Sequence, residues 1–163
     1  IKRPFILGPK VKMGSRNNGV VAEQEAIKLL AVLTGKKFVP IQNKSGNGID
    51  LVFINSATKT IEHIEVKSSA GGAPAWPQNL ANRFNKWITD AAGNGTPGSG
   101  SIAGKPISIA DEQLAVKIKD LMKKGYIVDN KVMQVALPKL NESGNSIMKL
   151  FNWTATKPAD VLK

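Results

Sequence analysis

Hydrophobic and polar residues alternate in two neighbouring stretches of the chain, residues 48–54 and 61–67, and both are rich in Ile, Val and Phe. Alternation that uses β-branched and aromatic residues is typical of half-buried β-strands. The intervening residues 55–60 read Asn-Ser-Ala-Thr-Lys-Thr, which favours a turn. The pattern therefore predicts two adjacent strands joined as a hairpin.

The period of two along a strand determines which side chains of this hairpin share a face. Because every second side chain projects to the same side, one face of the second strand carries Ile61, His63, Glu65 and Lys67. The hairpin can bring Asp50 of the first strand beside Glu65. Two carboxylates at such close range cannot both stay ionised without a cation between them, and the simplest such cation is a bound metal ion.

A period near 3.6 residues predicts an amphipathic helix over residues 17–34. Glu23 lies in the middle of its apolar face. Because burying an unpaired carboxylate costs several kcal/mol, Glu23 needs a partner, either a metal ion or a lysine. The apolar residues that gather on this face are Ala22, Ala26, Ile27, Leu29, Leu30, Ala31 and Leu33.

The rest of the chain alternates between helical and extended patterns, which predicts an α/β fold with a central mixed β-sheet flanked by helices. At 163 residues the chain fits one domain, residues 1–163, around one core. The stretch 91–106 contains five glycines and two prolines, and it predicts a flexible loop, either a flap or an ordinary surface insertion. The other predicted elements are a strand at 37–41, helices at 78–89 and 111–124, and strands at 131–137 and 147–153.

The chain is strongly basic, with a formal net charge of +11 at pH 7. Such an excess favours polyanions, nucleic acids above all, through counterion release and electrostatic steering. Five basic residues precede the first acidic one, so residues 1–16 are predicted to form a basic arm. In the helix at 78–89, Phe84 and Trp87 are expected to pack in the core. The residues predicted to bind nucleic acid are Lys10, Lys12 and Arg16 in the arm, and Arg83 and Lys86 on the exposed side of that helix.

A helix glutamate, an aspartate in a glycine-preceded strand and a Glu-x-Lys at the end of the next strand follow one another here as Glu23, Asp50, Glu65 and Lys67. In this order they resemble the motif of the PD-(D/E)XK nuclease superfamily, which has the restriction-endonuclease-like fold. The resemblance covers mainly Gly19 to Ser69. It departs from the motif where Gly-Ile-Asp replaces a literal Pro-Asp.

The resemblance implies a metal-dependent endonuclease. Asp50 and Glu65 would be metal ligands, Glu23 a ligand or a support for one, and Lys67 the residue that orients the attacking water and offsets developing charge. Carboxylate and water ligands suit Mg²⁺ or Mn²⁺, and Zn²⁺ stays possible. The chain has no cysteine and one histidine, His63, so it lacks the ligands of a structural zinc site. His63 shares the face of Glu65, but a single strand histidine is more often a packing residue, so it is left out of the predicted catalytic set.

The chain begins at Ile1 and contains no apolar run that approaches the roughly 18 residues of a membrane span. A basic, cysteine-free nuclease domain resembles the C-terminal toxin domains of bacterial contact-dependent growth inhibition and other polymorphic toxin systems. That resemblance implies a secreted or cell-surface effector acting in the cytoplasm of a target cell, and a cognate immunity protein. On the same grounds RNA, and tRNA in particular, is slightly favoured over DNA as substrate. The alternatives are a DNA restriction or repair nuclease and a non-catalytic basic nucleic-acid-binding domain.

Overall fold

The architecture comes from a computed structural model, which describes residues 6–12, 18–41, 49–70, 76–138 and 143–153. Helices and strands alternate through most of these residues. In chain order the elements are β1 (Ile6–Lys12), α1 (Asn18–Thr34), β2 (Val39–Ile41), β3 (Ile49–Asn55), β4 (Thr60–Ala70), α2 (Leu80–Ala92), β5 (Ser101–Ile102), β6 (Lys105–Pro106), α3 (Ile109–Lys123), β7 (Ile127–Leu137) and β8 (Ser143–Asn152).

Six of these strands form one mixed sheet in the order β1-β8-β7-β4-β3-β2. The strands β2, β3 and β4 form an antiparallel meander. The chain then crosses over through α2 and α3 and returns as β7, which pairs parallel with β4. The strands β8 and β1 complete the sheet with antiparallel pairs. The predicted α/β fold with a central mixed sheet flanked by helices is therefore confirmed.

Alternation along β4 explains why helices cover both faces of the sheet. Ile64 and Val66 belong to the hydrophobic cluster that packs against α1, whereas Ile61 belongs to the cluster that packs against α2 and α3. Since neighbouring residues of a strand point to opposite faces, the side chains of His63 and Glu65 lie on the side of α2. Any chemistry at these two residues takes place on that face.

The apolar face of α1 is narrower than the sequence predicts. Ala22, Ala26 and Leu30 are buried, as expected, but Ala31 and Leu33 are exposed. The helix contacts β4 more extensively than any other strand, so its packing is centred on the middle of the sheet. Phe84 and Trp87 of α2 are buried, which confirms their predicted packing role; Phe84 belongs to the cluster on the opposite face.

Two segments differ from the sequence-based expectation. Where residues 1–16 were expected to form an arm, residues 6–12 form β1, which pairs with β8; the register shifts between Leu7 and Lys10, around Pro9. Proline is tolerated at such irregularities on an edge strand because it has no N–H for the ladder. Where a flexible loop was expected over residues 91–106, α2 continues to Ala92 and a short hairpin of β5 and β6 follows.

The carboxylate of Glu112 organises the turns between α2 and β5. It accepts hydrogen bonds from the backbone N–H groups of Gly98 and Gly100, at 3.0 and 2.7 Å. A Cβ atom at Gly100 would collide with the carbonyl oxygen of Ala91, so only glycine fits this close approach. The glycine-rich segment is thus packed against α3 through a side chain that follows it in the sequence.

These hydrogen bonds, first from Gly98 and then from Gly100, hold the pKa of Glu112 below its ordinary value, although burial opposes the shift. A carboxyl group with a lowered pKa in the folded state contributes stability above its unfolded pKa and loses that contribution as the pH falls through the folded value. We therefore expect Glu112→Gln to lower the melting temperature by a few degrees at pH 7 and by much less near about pH 3. Thermal unfolding at both pH values measures this.

Asp120→Asn provides the matched control, because Asp120 lies on the same helix and forms an exposed ion pair with Lys124. Its effect should be small at either pH. An equal loss of stability from Glu112→Gln at both pH values would show that the carboxylate charge is not what stabilises the turns.

Candidate active site

The hairpin predicted around Asp50 and Glu65 is present, and its register places these two residues directly opposite each other. The pairing of β3 with β4 is antiparallel along the whole of β3. Directly opposed residues of such a pair have their Cβ atoms about 4.5–5.5 Å apart on one face. The structure therefore brings the two predicted ligand carboxylates together on the face covered by α2.

Glu65 is almost completely buried, with 1% of its surface exposed, and two cations lie beside it. Arg83 Nη2 donates to both carboxylate oxygens, at 2.9 and 3.2 Å. Lys67 Nζ lies 3.6 Å from Glu65 Oε1, and the Lys67 side chain is 19% exposed. Pairing and hydrogen bonding of this kind offset the cost of burying a carboxylate. The predicted neighbourhood of Glu65 and Lys67 is confirmed.

Arg83 links this buried carboxylate to the solvent. Its side chain is 49% exposed, and its Nε donates a hydrogen bond to the carbonyl oxygen of Gln78, at 3.1 Å, at the entrance to α2. The sequence predicts Arg83 to be a nucleic-acid contact on an exposed helix face. The structure places it at the rim of the candidate site, half-exposed and paired with Glu65.

His63 contributes more to the site than the sequence suggests. Its ring is fully buried and stacks on Phe84, with the ring centroids 3.8 Å apart. Its Nδ1 lies 2.8 Å from Asn130 Oδ1, and its Nε2 lies 3.5 Å from Asp50 Oδ2. The available sequence signal was the shared face with Glu65. Asn130 could not be found in this way, because it is 67 positions away and reaches His63 only through the parallel pairing of β7 with β4.

Within the part of the chain that the structure describes, two buried polar atoms of the site have no hydrogen-bond partner: Asp50 Oδ1 and His63 Nε2. Buried polar groups are normally satisfied, and exceptions often mark a missing ion or water or a functional role. A carboxylate oxygen and an imidazole nitrogen are both good ligands for divalent ions. The donor set at Asp50 and His63 therefore fits a cation, while the oxygens of Glu65 are engaged by Arg83. Among the side chains that the structure describes, no group of three His, Cys, Asp or Glu residues is arranged to hold a metal ion.

Glu23 was predicted to be the further acidic member of the site. The helix that carries it, α1, packs on the face of the sheet opposite to Glu65. The side chain of Glu23 itself lies outside the described residues, so its role stays a prediction.

The predicted nucleic-acid-binding residues are distributed over several parts of the fold. The backbones of Lys10 and Lys12 lie in β1, opposite Asn145 and Ser143 of β8, but their side chains lie outside the described residues. Arg16 falls wholly outside them. Lys86 is 71% exposed on α2 and pairs with Asp90 at 2.7 Å. Of this set, Arg83 is the residue whose described contacts reach the candidate site.

Comparison with known proteins adds no further assignment. No protein-family model matches the chain, and neither a curated protein nor a solved structure matches it significantly. Within the described parts of the chain, no helix is both long and apolar enough to cross a membrane.

Proposed function

We propose that the chain is a metal-dependent endonuclease with a restriction-endonuclease-like core that hydrolyses phosphodiester bonds in nucleic acid. One observation carries this proposal: Asp50 and Glu65 are opposed in register on one sheet face, and Lys67 follows Glu65 on the same face. A strand pair that holds a buried and a partly buried acid beside a lysine concentrates the groups that phosphodiester hydrolysis needs.

The residues of the site have separate tasks in this proposal. Asp50 and Glu65 would hold the divalent ion once Arg83 turns from Glu65 to the substrate. The bound ion would polarise the scissile phosphate and lower the pKa of a water molecule. Lys67 orients the attacking water and offsets the negative charge that develops on the phosphate. Arg83, half-exposed at the rim, donates to a phosphate oxygen and fixes the nucleic-acid backbone.

The charge of the whole chain supports a nucleic-acid substrate. A net charge of +11 attracts a polyanion over distances that are long compared with a hydrogen bond, so encounter with a nucleic acid is favoured before any specific contact forms. By resemblance we favour tRNA as substrate over DNA. By the same resemblance the chain would be the toxin domain of a secreted or cell-surface bacterial effector, which acts in the cytoplasm of a target cell and is neutralised by a cognate immunity protein.

The test is incubation of the purified protein with total tRNA and with plasmid DNA, each in the presence of Mn²⁺, Mg²⁺, Zn²⁺ or EDTA. We expect one of the two substrates to be cleaved when a divalent metal ion is present and to stay intact in EDTA, because the ion would activate the attacking water. An Asp50→Asn variant, prepared in the same way, should leave both substrates intact and so exclude a contaminating nuclease.

A different pattern would support a non-catalytic basic binding domain. Such a domain would bind both nucleic acids, more weakly at high salt, and would bind them equally well in EDTA. It would cleave neither of them with any of the metal ions. In that case the pairs of Glu65 with Arg83 and Lys67 would be structural.

A further inference from the structure

The pair formed by His63 and Asp50 has an unusual separation. A direct N–H···O hydrogen bond has a donor–acceptor distance of about 2.7–3.2 Å, and a buried pair that includes a carboxylate is usually at the short end. The distance between Nε2 and Oδ2 is 3.5 Å, although His63 is fully buried. The two groups face each other beyond ordinary hydrogen-bond distance, and Nε2 has no partner among the described residues.

Asn130 accounts for this arrangement. In its assigned amide orientation, Asn130 presents Oδ1, an acceptor, to Nδ1 of His63 at 2.8 Å. Nδ1 must then carry the ring proton, which leaves a lone pair on Nε2 when the imidazole is neutral. A lone pair on Nε2 and a carboxylate oxygen on Asp50 are two electron donors facing each other. Such a juxtaposition is stable when a cation lies between them.

The geometry of the pair suits an ion. Two ligand atoms bound to one ion at about 2.1 Å are roughly 3.0 Å apart in a six-coordinate site and roughly 3.4 Å apart in a four-coordinate site. The observed separation of 3.5 Å is close to both values. The ring of His63 is held by Phe84, which stacks on it, and by Asn130, which fixes its tautomer. Metal-ligating histidines characteristically have their second nitrogen bound to an oxygen in this way.

We propose that Nε2 of His63 is a metal ligand together with Asp50, and that Asn130 positions the ring for this task. The inference rests on the proposed metal-dependent function and gives it a chemical preference. Because imidazole nitrogen favours transition-metal ions, whereas Mg²⁺ prefers oxygen ligands and keeps its water, the site would favour a transition-metal ion over Mg²⁺. Mn²⁺ serves as the paramagnetic probe of this preference. The remaining ligand positions are left for Glu65, water and substrate.

His63 is the one histidine of the chain, so any signal from a histidine nitrogen can be assigned to this residue. Tag-free protein is titrated with Mn²⁺, and pulsed electron paramagnetic resonance records the nitrogen couplings of the bound ion. We expect a directly coordinated imidazole nitrogen, whose signal changes when the protein is made with nitrogen-15 histidine. His63→Gln should lose this coupling and bind Mn²⁺ at least about tenfold more weakly. Lys28→Met, at an exposed position of α1 on the opposite face of the sheet, should bind Mn²⁺ as the native chain does.

Bound Mn²⁺ without a histidine coupling in the native protein, or no Mn²⁺ binding at millimolar concentration, would overturn the ligand role of His63. The label experiment needs no substitution, so a misfolded variant cannot obscure the answer. The nuclease function and the ligand role of His63 can be contradicted independently. Cleavage of nucleic acid by a protein whose Mn²⁺ lacks the histidine coupling removes this inference alone, and a histidine-bound Mn²⁺ in a protein that cleaves neither tRNA nor DNA removes the nuclease assignment.

Discussion

Replacing Lys67 with methionine is expected to lower the rate of nucleic-acid cleavage by roughly a hundredfold or more. Methionine keeps the reach of the side chain but removes the ammonium group that lies 3.6 Å from Glu65. Without this charge, the developing negative charge on the phosphate loses a nearby counterion. Single-turnover cleavage in saturating Mn²⁺ measures the rate, and fluorescence anisotropy in EDTA measures substrate binding, which should change little.

Lys28→Met is the matched control for this substitution. It removes the same charge from the chain, but Lys28 is exposed on α1, on the face of the sheet opposite to the site, and pairs with Glu25. The cleavage rate of this variant should stay within about twofold of the native rate, since loss of one peripheral charge affects steering more than chemistry. If Lys67→Met and Lys28→Met slow cleavage equally, Lys67 acts only through the net charge and the catalytic assignment is wrong.

Removing the guanidinium group with Arg83→Met is expected to lower the free energy of unfolding by about 1–3 kcal/mol. Glu65 is buried, so its negative charge is less well compensated once the guanidinium group is removed. Because Arg83 is half-exposed, the loss of stability should be smaller than for a fully buried ion pair. In the double variant Arg83→Met/Glu65→Gln, part of the loss should be recovered because the uncompensated charge is gone. Urea-induced unfolding of the two single variants and the double variant gives the coupling energy between the residues.

A coupling of about 1 kcal/mol or more would establish that the two side chains interact in solution. Strict additivity of the two substitutions would contradict the ion pair. Lys28→Met again serves as control, because removal of an exposed lysine from a helix ion pair should cost within about 0.5 kcal/mol.

The hairpin and the fold class could be predicted because the signals that specify them are local. The alternation that identifies β3 and β4 lies in two stretches separated by a short turn, so the opposition of Asp50 and Glu65 follows from the period of a strand and the length of the turn. The alternation of helices and strands similarly specifies an α/β architecture.

What the sequence did not predict depends on contacts between distant parts of the chain. The pairing of β1 with β8 joins residues near opposite ends of the chain. The phase and placement of α2 decide that Arg83, rather than its exposed neighbours, reaches Glu65. The segment 91–106 has the composition of a loop, but the carboxylate that organises it belongs to α3. Local periodicity contains none of this information.

The central position of β4 in the sheet determines which unfolding events can disrupt the site. β4 lies between β3 and β7, so the backbone around His63 and Glu65 pairs with a neighbouring strand on each side. Amide protons in such a central strand exchange with solvent through the largest opening reactions of a protein, not through fraying at its edges. Fraying of β1, at the far edge of the sheet, would leave Asp50, His63 and Glu65 in register, whereas β2 pairs with Asp50 itself. We therefore expect the amide protons of β4 to exchange only when the domain unfolds as a whole.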